Sequence, residues 1–444
     1  MMQPRASIFG GSWWNDDNAG SRYANVDNWA DNSNENIGAR GRSDDRFPAR
    51  RGSRSRRPST PPRRFGVAGW WSARLSCFGK HTSRSGRAGR SGLCPSRPAA
   101  GFLSLYRGDP VGKRYRNLIG KITSPRTMET ALRLTSAGKR LTPGYLDFKE
   151  FSALNLADLA RDMATGTYTP GEPHQFYVYD PKRRLISALP FRDRIAQQAL
   201  CLVIAPIFDR ALLPRAFACR PGKGTHAGVV MLQSDLRREA RDGEKLYYLK
   251  TDFRSYFASI QRDVLWRLIE AKISCRATLR LIEAMIPRTG IGLPIGSLTS
   301  QIFANVYTGA TLDRHLQQTL GERLWYRYMD DIVVLGRSSA HLHCIKTSIE
   351  TFSRDNLGLK FSKWHVNPVG RGVNFLGYRI WPTHKLLRKD SVTRARRKIA
   401  AYRAAGDHKR LQKFLAAWLG HARWADSRNL IHSLGLKPID RRRA

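Results

Sequence analysis

Two adjacent acids are the residues whose types and spacing most clearly suggest chemistry. They are Asp330 and Asp331, in the stretch YRYMDDIVVLG at residues 326–336. The aromatic run before them and the apolar run after them both predict strands, so the pair falls at a tight turn. Neighbouring side chains of a strand face opposite ways, whereas at a hairpin tip both carboxylates can approach one site. Side by side they repel unless a cation neutralises them, and Mg2+ prefers carboxylate and phosphate oxygens. The pair therefore predicts a magnesium site.

A third acid can complete this site. Asp252 lies at the end of an apolar strand in LKTDFRSYFASI, residues 249–260. A carboxylate is costly there unless it is used. An Asp-Asp pair alone is more often a solvated turn, but the flanking strands and the upstream acid favour a two-metal site. Such a site activates a hydroxyl and stabilises the leaving group of an in-line displacement.

The elements that must position these acids are helices and strands in mixed order. Helices are predicted at residues 151–166, 191–212 and 297–320 and from Ser391 onward, and strands within residues 174–189, 245–257, 323–336 and 371–382. Gly166 is predicted to end the first of these helices. Because there is no strict β-α-β repeat, we expect an α+β fold with helices packed on an antiparallel sheet.

The order of these motifs resembles a reverse transcriptase. YMDD between two strands, preceded by TDFRSYF, is similar to the palm of these enzymes, and the likeness continues in order over residues 114–435. It implies a right-hand polymerase fold with fingers at residues 111–240, a palm with an antiparallel sheet at 241–385, and a small helical thumb with a basic tail at 386–444. The implied activity is RNA-directed DNA polymerisation.

The resemblance also implies a cofactor and a general acid. The cofactor would be two Mg2+ ions, for which Mn2+ can substitute. Their ligands would be Asp252, Asp330, Asp331 and the backbone carbonyl of Phe253. Lys363 would be the general acid toward pyrophosphate, with Lys360 as its rival.

Further site residues follow from the same resemblance. Arg184 would contact the incoming triphosphate, helped by Lys182 and Arg183, and Phe257 would exclude a ribose 2′-hydroxyl. Arg184 can also be a surface ion-pair residue, and Phe257 can be plain core. Gly296 and Gln301 would lie beside the nucleotide. Contacts to template and primer would come from Ile295, Ser300, Tyr328, Met329, Phe375, Leu376 and Gly377, the last three within the primer-grip motif VNFLGY.

Residues 295–301 favour one class of reverse transcriptase. Retroviral, group II intron and retron enzymes usually carry Gln-Gly-x-x-x-Ser-Pro, whereas this chain reads Ile-Gly-Ser-Leu-Thr-Ser-Gln. The latter form is similar to diversity-generating retroelement enzymes, which are associated with error-prone copying of adenines. Ile295 removes a polar group near the nascent pair, and this loss should weaken nucleotide discrimination.

This class implies particular partners. They are a template-repeat RNA, a cDNA primer, dNTPs and a small basic, oligomeric accessory protein, for mutagenic retrohoming. One alternative is a retron or group II intron-type enzyme, against which we weigh the Ile-Gly-x-x-x-Ser-Gln form and the expected lack of a long maturase or endonuclease extension after Ala444. The other alternative is a non-catalytic RNA-binding protein, against which the intact Asp252, Asp330 and Asp331 are weighed.

Composition independently favours a nucleic-acid partner. Lys and Arg number 77 against 35 acids, giving a net charge of +42. An excess of this size indicates a polyanion, and nucleic acid is the usual one. There is no run of about 18 apolar residues and no secretory signal, so we expect no membrane segment. The six cysteines form no C-x-x-C pair and are expected to be reduced, in the cytoplasm of a bacterium or archaeon or as a phage-encoded protein.

The N-terminal quarter differs from the rest of the chain. Residues 1–40 contain seven asparagines between Asn15 and Asn36 and resemble a translated template repeat, in which Asn codons supply mutable adenines. Residues 41–110 are rich in Arg, Ser, Gly and Pro and are predicted to be disordered. The alternative for this quarter is a natural disordered arm that grips RNA.

Overall fold

The described residues of the computed structural model are 113–179 and 183–436. The predictions for residues 1–40 and 41–110, for Lys182 and for the basic tail after residue 436 lie outside these ranges.

Helices dominate the first part of the described chain, around one hairpin. The helices are α1 (Ile119–Ile122), α2 (Pro125–Thr135), α3 (Pro143–Glu150), α4 (Ser152–Thr165), α5 (Phe191–Asp209) and α6 (Thr225–Glu239). The hairpin pairs β1 (His174–Val178) antiparallel with β2 (Arg184–Ala188). Helix α4 ends at Gly166, whose φ of +88° lies in the left-handed region that glycine tolerates at a helix end.

A four-stranded antiparallel sheet follows, interleaved with helices. Its strands are β3 (Tyr247–Phe253), β4 (Trp325–Tyr328), β5 (Asp331–Gly336) and β6 (Phe361–Pro368), in the order β4-β5-β3-β6. The helices are α7 (Tyr256–Ser259), α8 (Arg262–Glu270), α9 (Arg276–Met285), α10 (Leu298–Gly309), α11 (Leu312–Arg314) and α12 (Ser339–Leu357). This mixture confirms the predicted α+β class with an antiparallel sheet.

The C-terminal part adds a small sheet and three helices. Strands β7 (Val373–Phe375), β8 (Tyr378–Ile380) and β9 (Lys385–Leu387) form an antiparallel meander. Helices α13 (Lys389–Ala404), α14 (His408–Ala422) and α15 (Arg428–Ser433) follow it.

Both faces of the four-stranded sheet are covered, because alternate side chains enter different cores. On β5, Ile332 and Val334 join the core shared with the N-terminal helices. Val333 and Leu335 join the core shared with the C-terminal sheet and helices. This alternation is the period-two pattern of a strand, and it holds the carboxyl-bearing end of the sheet between two packed layers.

The single helix predicted at residues 297–320 is wrong. The chain leaves α10 at Thr311, where φ is −123° and ψ is −79°. It continues as α11 and then as one π-helical stretch, His315–Thr319. The apolar pattern runs through the break, because both pieces pack on the same core, so periodicity could not reveal it.

Two other expectations concern thiols and membranes. The described cysteines, Cys201, Cys219, Cys275 and Cys344, are all free. None of the helices within the described ranges combines the length and the apolarity needed to cross a membrane.

Candidate active site

The three acids lie at one end of the four-stranded sheet. Asp252 on β3 is directly opposite Asp331 on β5, and on its other side it is opposite Lys363 on β6. Asp330 occupies the two-residue turn between β4 and β5. The sheet therefore brings the candidate acids and the exposed Lys363 to one place from sequence positions up to 111 apart.

The turn that carries Asp330 has an uncommon backbone. Met329 is buried and has a φ of +56°, which few residues other than glycine adopt outside tight hairpin turns. Arg327 supports the turn from beneath, since its Nη1 donates to the Met329 carbonyl at 3.3 Å. Arg327 is itself held by Asp313 through two hydrogen bonds of 2.6 and 2.7 Å.

The pKa values of the acids reflect their burial and their mutual repulsion. Burial, followed by the charge of Asp252, raises the pKa of Asp330 to about 7. Burial also raises the pKa of Asp331, and Lys250 opposes that rise. A carboxyl whose pKa is raised by a neighbouring carboxylate lies close enough to share a cation with it.

Lys250 is a cation that forms a hydrogen bond with one of these acids, Asp331. Its Nζ donates to Asp331 Oδ2 at 2.8 Å and to the Asn374 carbonyl at 2.7 Å. Asp331 Oδ1 is buried and has no hydrogen-bond partner among the described residues. Asp252 Oδ2 accepts from Ser362 Oγ at 3.2 Å.

The donor set fits a divalent cation, although the side chains are not closed around one. Within residues 113–179 and 183–436, no three Asp, Glu, His or Cys side chains are close enough together to bind one metal ion as they are placed. Mg2+ binds carboxylate oxygens, so it would give Asp331 Oδ1 a partner. It would also reduce the repulsion between Asp252 and Asp330. Phe253, whose carbonyl is the fourth predicted ligand, ends β3, and its ring packs between Tyr256 and Phe361.

The residues predicted to hold the triphosphate lie on the β1–β2 hairpin. Arg184 opens β2 with an exposed side chain. The Arg183 guanidinium stacks over the Tyr177 ring at 4.0 Å, a cation–π contact. Lys182 lies outside the described residues.

The hairpin is joined to the segment that begins at Ile295. Ser187 N donates to the Ile295 carbonyl at 2.8 Å, and the Ile295 side chain packs with Val178 and Ile186. At Gly296, φ is +113°, and a Cβ atom would lie 2.8 Å from the Ser187 carbonyl oxygen. Only glycine allows this close approach.

Ser300 and Gln301, the two predicted site residues at the end of this segment, differ in their partners. Ser300 is buried, and its Oγ has no hydrogen-bond partner among the described residues. Gln301 Oε1 accepts from Cys219 Sγ at 3.4 Å. The Gln301 amide oxygen therefore has a weak thiol donor, whereas the Ser300 hydroxyl has no partner among the described residues.

Phe257 is half-buried in α7, which directly follows strand β3. Its ring meets Tyr256 edge-on at 5.7 Å, and its carbonyl accepts from Leu293 N at 2.8 Å. These contacts place Phe257 at the edge of the core, four residues beyond the end of β3.

The predicted primer grip is the tight β7–β8 hairpin. Leu376 and Gly377 have φ values of +50° and +89°, as a two-residue turn of type I′ requires. Phe375 is buried and packs edge-on against Tyr326 at 6.4 Å. Tyr328 is half-buried and ends β4 directly before the Met329 turn.

Three functional candidates were missed by sequence reasoning: Lys250, Arg327 and Asp313. Lys250 and Asp252 are two residues apart on β3, so they share a face of the strand. Arg327 interrupts an aromatic strand, WYRY. A charge inside a buried strand needs a partner, and this signal could have identified both cations.

Comparisons with known proteins agree with this geometry. Residues 179–380 match the family described as "Reverse transcriptase (RNA-dependent DNA polymerase)". The chain is 22% identical over 340 residues to Protein YkfC of Escherichia coli (strain K12), covering 65% of this chain and 87% of YkfC. It is 22% identical over 181 residues to the group II intron-encoded protein LtrA of Lactococcus lactis subsp. cremoris, covering 37% of this chain and 29% of LtrA.

A solved structure is also similar, at a low level. Apo telomerase from Candida tropicalis, truncated from its C-terminal domain, is 12% identical with a TM-score of 0.39. The alignment covers 53% of this chain and 60% of that one. The family match, by contrast, contains Asp252, Asp330, Asp331 and Lys250. Residues 179–380 therefore form a reverse transcriptase domain, and the matches support RNA-directed DNA polymerase activity for it.

Proposed function

We propose that this protein copies an RNA template into cDNA by two-metal nucleotidyl transfer. The observation that carries the proposal is the convergence of Asp252, Asp330 and Asp331 at the end of one sheet inside a reverse transcriptase domain. These carboxylates and the Phe253 carbonyl would hold two Mg2+ ions, or Mn2+ in their place. When bound, two such ions would supply activation of the primer 3′-hydroxyl and stabilisation of the leaving pyrophosphate.

The chain's own residues would position the reactants around these acids. Arg184, with Lys182 and Arg183, would bind the triphosphate through charge-assisted hydrogen bonds. Phe257 would exclude a 2′-hydroxyl, and Lys363, exposed opposite Asp252, would protonate pyrophosphate.

Fingers, palm and thumb are the corresponding division of the chain. We assign them to residues 111–240, 241–385 and 386–444. The net charge of +42 supports an RNA template and makes its binding salt-dependent. The template and primer would contact Ile295, Ser300, Tyr328, Met329 and the hairpin at Phe375, Leu376 and Gly377.

We further propose the diversity-generating class, with errors directed to adenines of a template-repeat RNA. The support is the sequence Ile295 to Gln301, which has the Ile-Gly-x-x-x-Ser-Gln form. A small basic accessory protein would complete the complex, and the cytoplasm is the expected compartment.

Primer extension tests the polymerase activity. With Mg2+, an RNA template and a DNA primer, the wild type should extend, and the Asp330→Ala plus Asp331→Ala variant should not. Asp263→Ala is the matched control, because Asp263 is an exposed acid that pairs with Arg267 on helix α8. Equal extension by all three proteins would reject the activity and favour a non-catalytic RNA-binding protein.

Sequencing the cDNA tests the class. Misincorporation should be concentrated opposite template adenine, and Ile295→Gln should reduce it. The rival is a group II intron or retron-type enzyme, which is favoured by the identity with LtrA. Errors spread evenly over the four template bases in the wild type would support that rival.

A further inference from the structure

Lys250 is a charged residue in the middle of a buried strand. Its neighbours on β3, Leu249 and Thr251, are fully buried, and its own side chain is 17% exposed. Placing an ammonium there is costly unless it is paired. The pairing partner therefore indicates why this position carries a lysine.

The ammonium joins two parts of the site that are far apart in sequence. It donates to Asp331 Oδ2 at the end of β5 and to the Asn374 carbonyl within the β7–β8 hairpin, 81 and 124 positions away. It also lies 5.8 Å from the centre of the Phe375 ring. Arg388 adds positive charge near Asp331, but Lys250 is the residue in hydrogen-bond contact with this carboxylate.

We propose that Lys250 is a positioning residue that holds Asp331 and the hairpin at residues 373–378 in a fixed relation, and that its charge stabilises the acid cluster before a cation enters. The assignment of Asp331 and the hairpin to metal and primer binding rests on the function proposed above. Lys250 occupies Oδ2 of Asp331 and leaves Oδ1, which is buried without a partner, available to a cation.

This role predicts a linkage between residue 250 and Mg2+. In Lys250→Met, Asp331 loses its hydrogen-bonded cation, so without metal the variant should be less stable than the wild type. Mg2+ replaces the missing charge. The rise in melting temperature on adding Mg2+ should therefore be larger in Lys250→Met than in the wild type, by about 2–4 °C. Lys250→Arg keeps the charge and should show the wild-type rise.

Lys346→Met is the matched control. Lys346 is also largely buried, 15% exposed against 17% for Lys250, and it also pairs with an acid, Glu350, at 2.5 Å. Glu350 lies on helix α12 and is not one of the three candidate acids. The Lys346→Met substitution should therefore lower the melting temperature by the same amount in EDTA and in Mg2+.

Kinetics provide the second measurement. A loosened Asp331 and primer hairpin should lower kcat for primer extension by about 10- to 100-fold, with little change in KM for dNTP, because alignment rather than nucleotide binding is lost. Lys250→Arg should recover part of kcat, and Lys346→Met should keep wild-type kinetics.

The outcomes separate this inference from the proposed function. If Lys250→Met shows no larger Mg2+-dependent rise than the wild type, or loses the same stability in EDTA and Mg2+, the inference is overturned. Wild-type kcat in Lys250→Met would also overturn it while leaving the polymerase function intact. If the wild type extends no primer, the proposed function fails, and the melting comparison still decides the role of Lys250 toward a cation.

Discussion

Replacing Asp313 with alanine should destabilise the protein far more than removing an exposed acid. Asp313 and Arg327 are both 0% exposed and are joined by two hydrogen bonds of 2.6 and 2.7 Å. Burial alone would lower the pKa of Arg327, but the Asp313 carboxylate raises it above its ordinary value. Arg327 therefore stays charged, and the substitution leaves a buried guanidinium without its hydrogen-bonded counter-ion.

The expected loss follows from this uncompensated charge. Removing one partner of a buried pair costs about 3–5 kcal/mol, whereas an exposed pair contributes about 0.2–1 kcal/mol. Domains are stable by about 5–15 kcal/mol, so Asp313→Ala should remove a large share of the total. The control, Asp263→Ala, breaks the exposed Arg267–Asp263 pair, whose side chains are 49% and 61% exposed.

Urea unfolding followed by circular dichroism measures both losses. A free energy of unfolding for Asp313→Ala within about 1 kcal/mol of the Asp263→Ala value would refute the reasoning. Asp313→Leu combined with Arg327→Met removes both charges and should recover most of the stability. The double variant should still extend primers poorly, because the Met329 carbonyl loses the donor that supports the catalytic turn.

Two further predictions concern the acid cluster and the nucleotide. In EDTA, stability should fall as pH rises from about 4 to 7, because the pKa of Asp330 is raised to about 7 in the folded protein and the neutral form is the favoured one. Asp330→Asn should flatten this part of the melting temperature–pH profile; an unchanged slope would assign the dependence to other groups. Phe257→Ala should lower the preference for dNTP over rNTP in primer extension by about 10-fold or more, as expected when a bulky side chain is removed from a pocket. If the preference stays while the melting temperature drops, Phe257 is a core residue and not a gate.

Local sequence patterns were sufficient for the elements around the acids. The aromatic and apolar runs on either side of Asp330 and Asp331 predicted a hairpin, and β4 and β5 form it. Gly166 ends its helix as predicted, because a left-handed residue is a local requirement. The α+β class followed from the mixed order of elements.

Local patterns failed where tertiary contacts decide the backbone. Residues 297–320 keep an apolar periodicity across Thr311, yet the helix breaks there and places Asp313 against Arg327. Packing also bears on the interpretation of Ile295, which the sequence linked only to nucleotide discrimination. Ile295 packs on the β1–β2 hairpin, so an apolar residue is favoured there by packing as well as by any effect on the nascent pair.

The charges of the site explain where a divalent cation belongs. Arg327 is matched by Asp313, and Lys250 is matched by Asp331, each in hydrogen-bond contact. Asp252 and Asp330 then remain as two carboxylates beside each other, and the charge of Asp252 helps to raise the pKa of Asp330. Each cation in a buried strand is thus paired with one acid, and Asp252 and Asp330 are the two carboxylates whose repulsion divalent cations would relieve. Because the two matched pairs bridge 14 and 81 positions of sequence, this balance becomes visible only once the sheet has brought them together.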